Sequence, residues 1–236
     1  MLPPLSSGSH FSAKSRGVCL LSTYHREMDQ PWLQVALRDY EGHMGATGVD
    51  QLAPLASLFA EALAFCRPQS VAVVGIAGGN GLQHIEPQTT SRIIGIDINA
   101  DYLAAVKSRY PALKQLELHR LDMAKERPRL QPVEMVHAAL LFEHTRLSPC
   151  LENCLSLAAP GGYFAAVLQL PSAFEADVAS SGFASIQHLK EHFALIGPAA
   201  FTVAVTRNGF SLVLEKQCPL PAGKAFWMGI FQHKNP

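Results

Sequence analysis

The sequence has no surplus of either charge. Nineteen Lys and Arg residues balance nineteen Asp and Glu residues. Without a basic excess, neither a nucleic acid nor an anionic membrane surface has electrostatic support as a partner. Charged residues make up only 16% of the chain and nearly half of it is apolar, which excludes a disordered, self-repelling polymer. No stretch reaches the roughly 18 apolar residues of a membrane span. The first residues are rich in Ser, Pro and Gly and lack an apolar h-region, so no secretory signal is expected. The five cysteines, at 19, 66, 150, 154 and 218, are odd in number and include no CxxC pair. Cys150 and Cys154 share a helix face and read as buried thiols. A reducing, cytoplasmic setting is expected, with no metal site.

At 236 residues there is ample chain for one large α/β domain with an added segment. Its most informative stretch is Val71 to Leu82, VAVVGIAGGNGL. The apolar run Val71 to Val74 has the character of a strand buried on both faces, as in a parallel sheet. Gly75, Gly78, Gly79 and Gly81 follow at once. Glycines so placed supply positive φ and let a ligand approach the backbone. A second apolar run, Arg92 to Asp97, ends in a carboxylate. Gly75 to Asp97 is about the 20-residue offset between a glycine turn and a ribose-binding acid in a nucleotide-binding βαβ unit. Two neighbouring ribose hydroxyls can both donate to one carboxylate, and such bonds are worth roughly 1.5–3 kcal/mol each.

Three regions follow from the pattern: residues 1–16 as a flexible arm, 17–68 as an N-terminal helical cap, and 69–236 as the core. In the cap, Asp29 and Pro31 predict a helix start. That helix ends near Gly42, and a second helix spans Val49 to Cys66. Trp32, Phe59 and Phe65 are expected in the core. Beyond Val71 the pattern alternates. A helix is expected around Leu82 to Ile85, a strand at Ile93 to Ile96 and a helix from Asn99 or Ala100 to Arg109. Strands are expected at Leu116 to Leu121 and Val133 to Ala139, a helix at Leu147 to Ala159, and a strand at Tyr163 to Leu170. Helices at Phe183 to Ile196 and Pro198 to Arg207 lead to strands Phe210 to Gln217 and Ala225 to Gln232. The connection between those last two strands is too short for a crossover, so they must pair antiparallel. The fold class is α/β: a doubly wound, mostly parallel seven-stranded sheet with a C-terminal antiparallel hairpin and an N-terminal helical cap.

In the order and spacing of its motifs the chain resembles the class I S-adenosylmethionine-dependent methyltransferases. The resemblance runs from Val71 to His233. It is carried by VVGIAGGNG, IIGID, LHRLDM, EMVHAALLFEH and APGGYFAAV. It implies S-adenosylmethionine as cofactor and in-line methyl transfer to a small-molecule acceptor by a monomer or homodimer. Carried over by position, Gly75, Ala77, Gly79 and Gly81 form the loop along the methionine moiety. Asp97 grips the ribose and Ile98 packs on the adenine. Asp122 receives the adenine amino group and Met123 flanks the ring. Ala138 and Ala139 belong to the floor beside the sulfonium, with Glu143 and His144 just beyond. Gly75 stands where the family usually has an acid, and Ala77 where it has its first glycine. A side chain at Gly79 is expected to meet the ligand.

Each motif also has a plainer reading. The glycine loop can be a tight turn alone, and Asp122 can cap a helix. Glu143 and His144 can be a solvated pair opening a helix. Tyr24, Tyr40 and His43 are candidate acceptor-binding residues, or the end of an ordinary amphipathic helix. His144 and His43 are the candidates for a general base, by position only. Two other functions compete. A nicotinamide-dependent oxidoreductase would use Asp97 in the same way, but the glycine phrase fails GxGxxG from either Gly75 or Gly79. A non-catalytic S-adenosylmethionine-binding module is the other.

Overall fold

A computed structural model of the chain describes residues 30–145, 147–172 and 182–234. Tyr24, Asp29, the arm and the first part of the cap therefore lie outside the described residues. The frame is a seven-stranded sheet in the order β3-β2-β1-β4-β5-β7-β6. Its strands are β1 Ser70–Val74, β2 Arg92–Asp97, β3 Leu116–Arg120, β4 Val133–Ala139, β5 Ala158–Gln169, β6 Phe210–Pro219 and β7 Ala225–His233. The first five pair in parallel. The hairpin is antiparallel, as its short connection requires, and β7 also runs antiparallel to β5.

Successive residues of β1 pack on opposite faces: Ala72 and Val74 in one apolar cluster, Val71 and Val73 in the other. Double burial is what an unbroken apolar run demands. The helices are α1 Leu37–Met44, α2 Leu52–Cys66, α3 Ala100–Arg109, α4 Leu147–Leu155, α5 Ala184–Gln187 and α6 Pro198–Arg207. Asn99 caps α3 by accepting the Asp101 N–H at 3.0 Å. Among the described residues no helix is long and apolar enough to cross a membrane.

Several boundaries differ from expectation for local reasons. The single helix expected from Asp29 to Gly42 is split into a 3-10 turn, Pro31–Gln34, and α1. Between them Val35 is extended and buried, and its carbonyl accepts the Tyr102 hydroxyl at 2.9 Å. Tacking the chain to α3 prevents a continuous helix. The helix expected after the glycine loop is only a 3-10 turn, Leu82–His84. Left-handed Gly81 precedes it and Pro87 follows, which leaves room for one turn. β5 begins at Ala158 and runs through Pro160-Gly161-Gly162, so the helix expected to reach Ala159 ends at Leu155 and the strand expected from Tyr163 starts early. There a Cβ on Gly162 would lie 2.8 Å from the Glu134 carbonyl oxygen, so glycine lets β5 continue beside β4. The expected Phe183 to Ile196 helix breaks after Gln187 into a 3-10 turn, Lys190–His192. Phe59 is core, but Phe65 is 46% exposed and Trp32 is not fully buried.

One face of the sheet carries a nest of aromatic rings centred on Phe164. Its ring lies 6.2–6.5 Å from those of Phe142, Phe201, Phe210 and Phe231. Phe164→Ala should lower unfolding free energy by about 3–5 kcal/mol. Urea denaturation of the purified variant measures this, and a loss under ~1 kcal/mol would mean the nest does not hold that face together.

Candidate active site

A cavity of about 560 Å³ opens outside the carboxyl ends of β1, β2 and β4. In this strand order β1 is the switch point, where open α/β sheets place ligands. The volume lies within the roughly 300–1,000 Å³ of small-molecule sites.

Asp97, at the tip of β2, sits on its wall and is only 8% exposed. The Ala77 N–H donates to its Oδ2 at 2.9 Å and the Asn99 N–H to its Oδ1 at 2.9 Å. Burial raises the Asp97 pKa, while the N–H groups of Asn99, Ala77 and Ile98 work against that rise. Each oxygen keeps a lone pair for a further donor. Ala77 has φ +45, a left-handed conformation that favours glycine. Its side chain thus stands where a glycine geometry is retained. Leu140, also on the cavity wall, has φ +51. Two left-handed non-glycine residues in one cavity are the kind of local strain that collects at functional sites.

The structure brings Gly75, Ala77, Asp97, Ile98, Asp122, Met123 and Ala139 together on this cavity. Ala138 is wholly buried in the sheet and does not line it. Gly79 and Gly81 do not line it either. A Cβ on Gly79 would meet the Tyr110 ring at 2.7 Å, and one on Gly81 the Phe59 ring at 2.8 Å. These glycines are small because protein side chains close over them, so a side chain at Gly79 meets Tyr110 and not a ligand. The Tyr110 hydroxyl donates to the Gly79 carbonyl at 2.8 Å, which pins the loop from behind.

Asp122 lies on the cavity wall but caps no helix, since only a turn follows it. Its Oδ1 accepts the Ala124 N–H at 3.0 Å and so closes that turn, and its Oδ2 accepts from Gln30 Nε2 at 2.9 Å. Glu143 and His144 are not a solvated pair: the first is 1% exposed and the second is half-buried. Glu143 points into the protein, where Oε1 accepts the Gln169 N–H at 2.8 Å and Oε2 has no partner among the described residues. Burial pushes its pKa up to about 7. His144 does line the cavity. Its ring stands edge-on to Trp32 at 4.8 Å, its Nδ1 has no partner among the described residues, and burial brings its pKa down to about 4. Tyr40 is also on the wall. His43 is not; it lines an adjoining recess. Glu41 instead pairs with Arg109, whose Nη2 donates to it at 2.8 Å and whose Nη1 also reaches the Gly78 carbonyl at 3.2 Å.

Sequence reasoning missed Gln30, Pro31 and Trp32, which close one side of the cavity. The Trp32 carbonyl accepts from Asn99 Nδ2 at 3.0 Å. Nothing in the local pattern separates such a strap from a helix start. Among the described residues no group of three or more His, Cys, Asp or Glu is placed to hold a metal ion.

Residues 72–166 match the family described as a methyltransferase domain. Residues 72–166 thus carry a methyltransferase domain. It is an enzyme domain that takes its methyl group from S-adenosylmethionine, and the cavity at the tips of β1 and β2 fits that cofactor's nucleoside in size and in its buried carboxylate. No curated protein sequence matches the chain. Among solved structures, the methyltransferase fold here is similar to the N-methyltransferase NodS from Bradyrhizobium japonicum WM9 in complex with S-adenosyl-L-homocysteine. They share 13% identity and a TM-score of 0.61, over 90% of this chain and 97% of that one. Magnesium protoporphyrin IX methyltransferase (ChlM) from Synechocystis PCC 6803, with bound S-adenosylhomocysteine, is similar at 13% identity and a TM-score of 0.61, over 90% and 95%. The [4+2]-cyclase SpnF is similar at 9% identity and a TM-score of 0.60, over 78% and 82%. Identities this low establish the shared fold and nothing of the acceptor.

Two outcomes are expected of this methyltransferase domain. Asp97→Ala should weaken S-adenosylhomocysteine binding by about 1.5–3 kcal/mol in calorimetric titration. A loss under ~0.5 kcal/mol on that scale would place the ribose elsewhere. Glu143 gives a pH signature. Its pKa in the fold is above the ordinary 4.5, so its stabilising contribution is full below pH 4.5 and lost as pH rises through about 7. Glu143→Gln, neutral at every pH, should therefore gain on the wild type by an amount on the order of 3 kcal/mol in going from pH 5 to 8. Parallel urea denaturation series at the two pH values test it; a constant difference refutes the assignment.

Proposed function

We propose that the chain methylates a small-molecule acceptor held beside His144, with the cofactor lying across the tips of β1, β2 and β3. The observation that carries this reading is the Asp97 carboxylate, buried on the cavity wall and held by two backbone N–H groups. In the proposed arrangement Asp97 takes the ribose hydroxyls, Ile98 and Met123 flank the adenine, and Asp122 accepts from its amino group. Gly75 and Ala77 form the floor toward the charged end.

When bound, the sulfonium supplies an activated methyl group and leaves as a neutral thioether. The chain's own work is placement and exclusion of water. Alignment of two reactants supplies up to roughly 7–11 kcal/mol in ideal cases. Trp32, Tyr40, Leu140 and His144 wall the site where an acceptor would meet the methyl group. His144 is the proposed base for an acceptor that arrives protonated. With its pKa near 4 its ring is uncharged throughout the physiological range, which leaves a nitrogen lone pair for the acceptor but makes it a weaker base than one tuned near pH 7. His43 is the second candidate, held neutral by burial and by the nearby Lys224 and Lys190.

The four cysteines within the described residues are free thiols, which supports a reducing, cytoplasmic setting. A monomer or homodimer is the assembly proposed. The decisive test has two stages. Purified protein is titrated with S-adenosylmethionine and with NADH, and then assayed for S-adenosylhomocysteine release against a panel of small acceptors. Binding of the first ligand alone, with acceptor-dependent release, is expected. NADH binding in its place overturns the reading. On the true acceptor, His144→Ala should lower turnover by 10²-fold or more if it is the base. Unchanged turnover in both His144→Ala and His43→Ala excludes each.

A further inference from the structure

Gln30 stands at the head of the strap that closes one side of the cofactor cavity, half-buried and part of the cavity wall. The strap is fastened at two points. The Gln30 carbonyl accepts the Leu33 N–H at 3.0 Å, which closes the 3-10 turn, and the Trp32 carbonyl accepts from Asn99 Nδ2 at 3.0 Å. Pro31, between Gln30 and Trp32, has its φ locked by its ring. The turn is thereby tied to the same Asn99 whose N–H holds Asp97.

The Gln30 side chain is held as well. Its Nε2 donates to Asp122 Oδ2 at 2.9 Å, and Lys125 Nζ lies 3.6 Å from that oxygen. A carboxylate only accepts hydrogen bonds, so it is met by the NH2 end of an amide and not by the oxygen. Asp122 therefore decides which end of the Gln30 amide is which. The bond uses one N–H of Nε2; a second N–H and the lone pairs of Oε1 complete the group. On the cavity wall it offers a ligand a donor beside an acceptor, in a fixed order.

A 6-aminopurine carries the complementary pair, an amino N–H beside a ring nitrogen, and a Gln amide can pair with it through two hydrogen bonds. The amino group has two protons, so Asp122 can take one and Oε1 the other. A 6-oxopurine has an oxygen in that place. It would set an acceptor against both Asp122 and Oε1, and the polar groups of the site would be left unpaired.

We propose that Gln30 is an adenine-reading residue of the cofactor site, aimed by Asp122, and that its amide selects a 6-aminopurine over a 6-oxopurine. Because the strap and Asp122 already hold the side chain, little of its rotamer freedom remains to be lost on binding. Gln30 thus adds to the role proposed for Asp122, and the assignment rests on the methyltransferase reading above.

The test titrates the full chain calorimetrically with S-adenosylhomocysteine and, separately, with S-inosylhomocysteine, in which an oxygen replaces the amino group. The wild type should prefer the first by about tenfold or more. Gln30→Met keeps the length of the side chain and removes the amide. It should shrink that preference by about fivefold or more, the lower end of what a bidentate amide–adenine pair discriminates. A wild type that binds the two ligands equally overturns the proposal. So does a variant that keeps the wild-type ratio, whether its two affinities fall together or not at all, because Gln30 is then a cover or a bystander. Tighter S-adenosylhomocysteine binding by the variant also overturns it, since Gln30 would then compete with adenine for Asp122. Failure of S-adenosylhomocysteine to bind the wild type overturns the methyltransferase reading instead, and is distinguishable because it appears before the analogue or the variant is used.

Discussion

One carboxylate ties the glycine loop to the sheet. Asp97 accepts an N–H from Ala77 on one oxygen and from Asn99 on the other. It thereby fixes the loop after β1 and the start of α3 relative to the tip of β2. The N–H groups of Gly75 and Ile76 both donate to the Ile96 carbonyl, at 2.9 and 3.1 Å, so the backbone reinforces the same junction. If the carboxylate were lost, the two loops that floor the cavity would each have an unpaired buried N–H, which is costly. The same group that a ligand would use is thus also the one that shapes the place where the ligand sits. Affinity and local stability are therefore coupled at this residue.

Much of the fold was legible because parallel strands buried on both faces leave an unbroken apolar signature. Val71 to Val74 and Ile93 to Ile96 both read correctly on that ground. So did the hairpin, because a connection as short as Cys218 to Gly223 permits only antiparallel pairing. The errors fall where tertiary contacts override local preference. Val35 breaks a helix because its backbone is fastened to Tyr102. Pro160-Gly161-Gly162 resembles a helix stop, yet it lies within a strand because the neighbouring backbone of β4 leaves space only for glycine. No periodicity argument contains either constraint.

The site was legible in the same uneven way. Acids at strand tips are visible in sequence because they end apolar runs, and Asp97 and Asp122 both reached the cavity. Glycines are less informative, since smallness can serve a ligand or a neighbouring ring. At Gly79 and Gly81 it serves Tyr110 and Phe59. For Glu143 the sequence left a solvated pair and a site pair both open, because burial depends on what the chain folds over it. The strap at Gln30 to Trp32 was invisible, because its role arises from contacts with Asn99 and Asp122, far away in sequence.

The turn Leu82–His84 bears on which nucleotides the loop can hold. Dinucleotide-binding folds present the first turn of a long helix to a pyrophosphate, whose negative charge is met by the aligned peptide dipoles. Here the segment after the glycines is three residues long, too short to build a macrodipole of any weight. A diphosphate laid on this loop would meet isolated amides and the anionic field of Asp97. A ligand whose central atom is a sulfur cation would need no such dipole, and would be drawn toward the same carboxylate that a diphosphate would avoid.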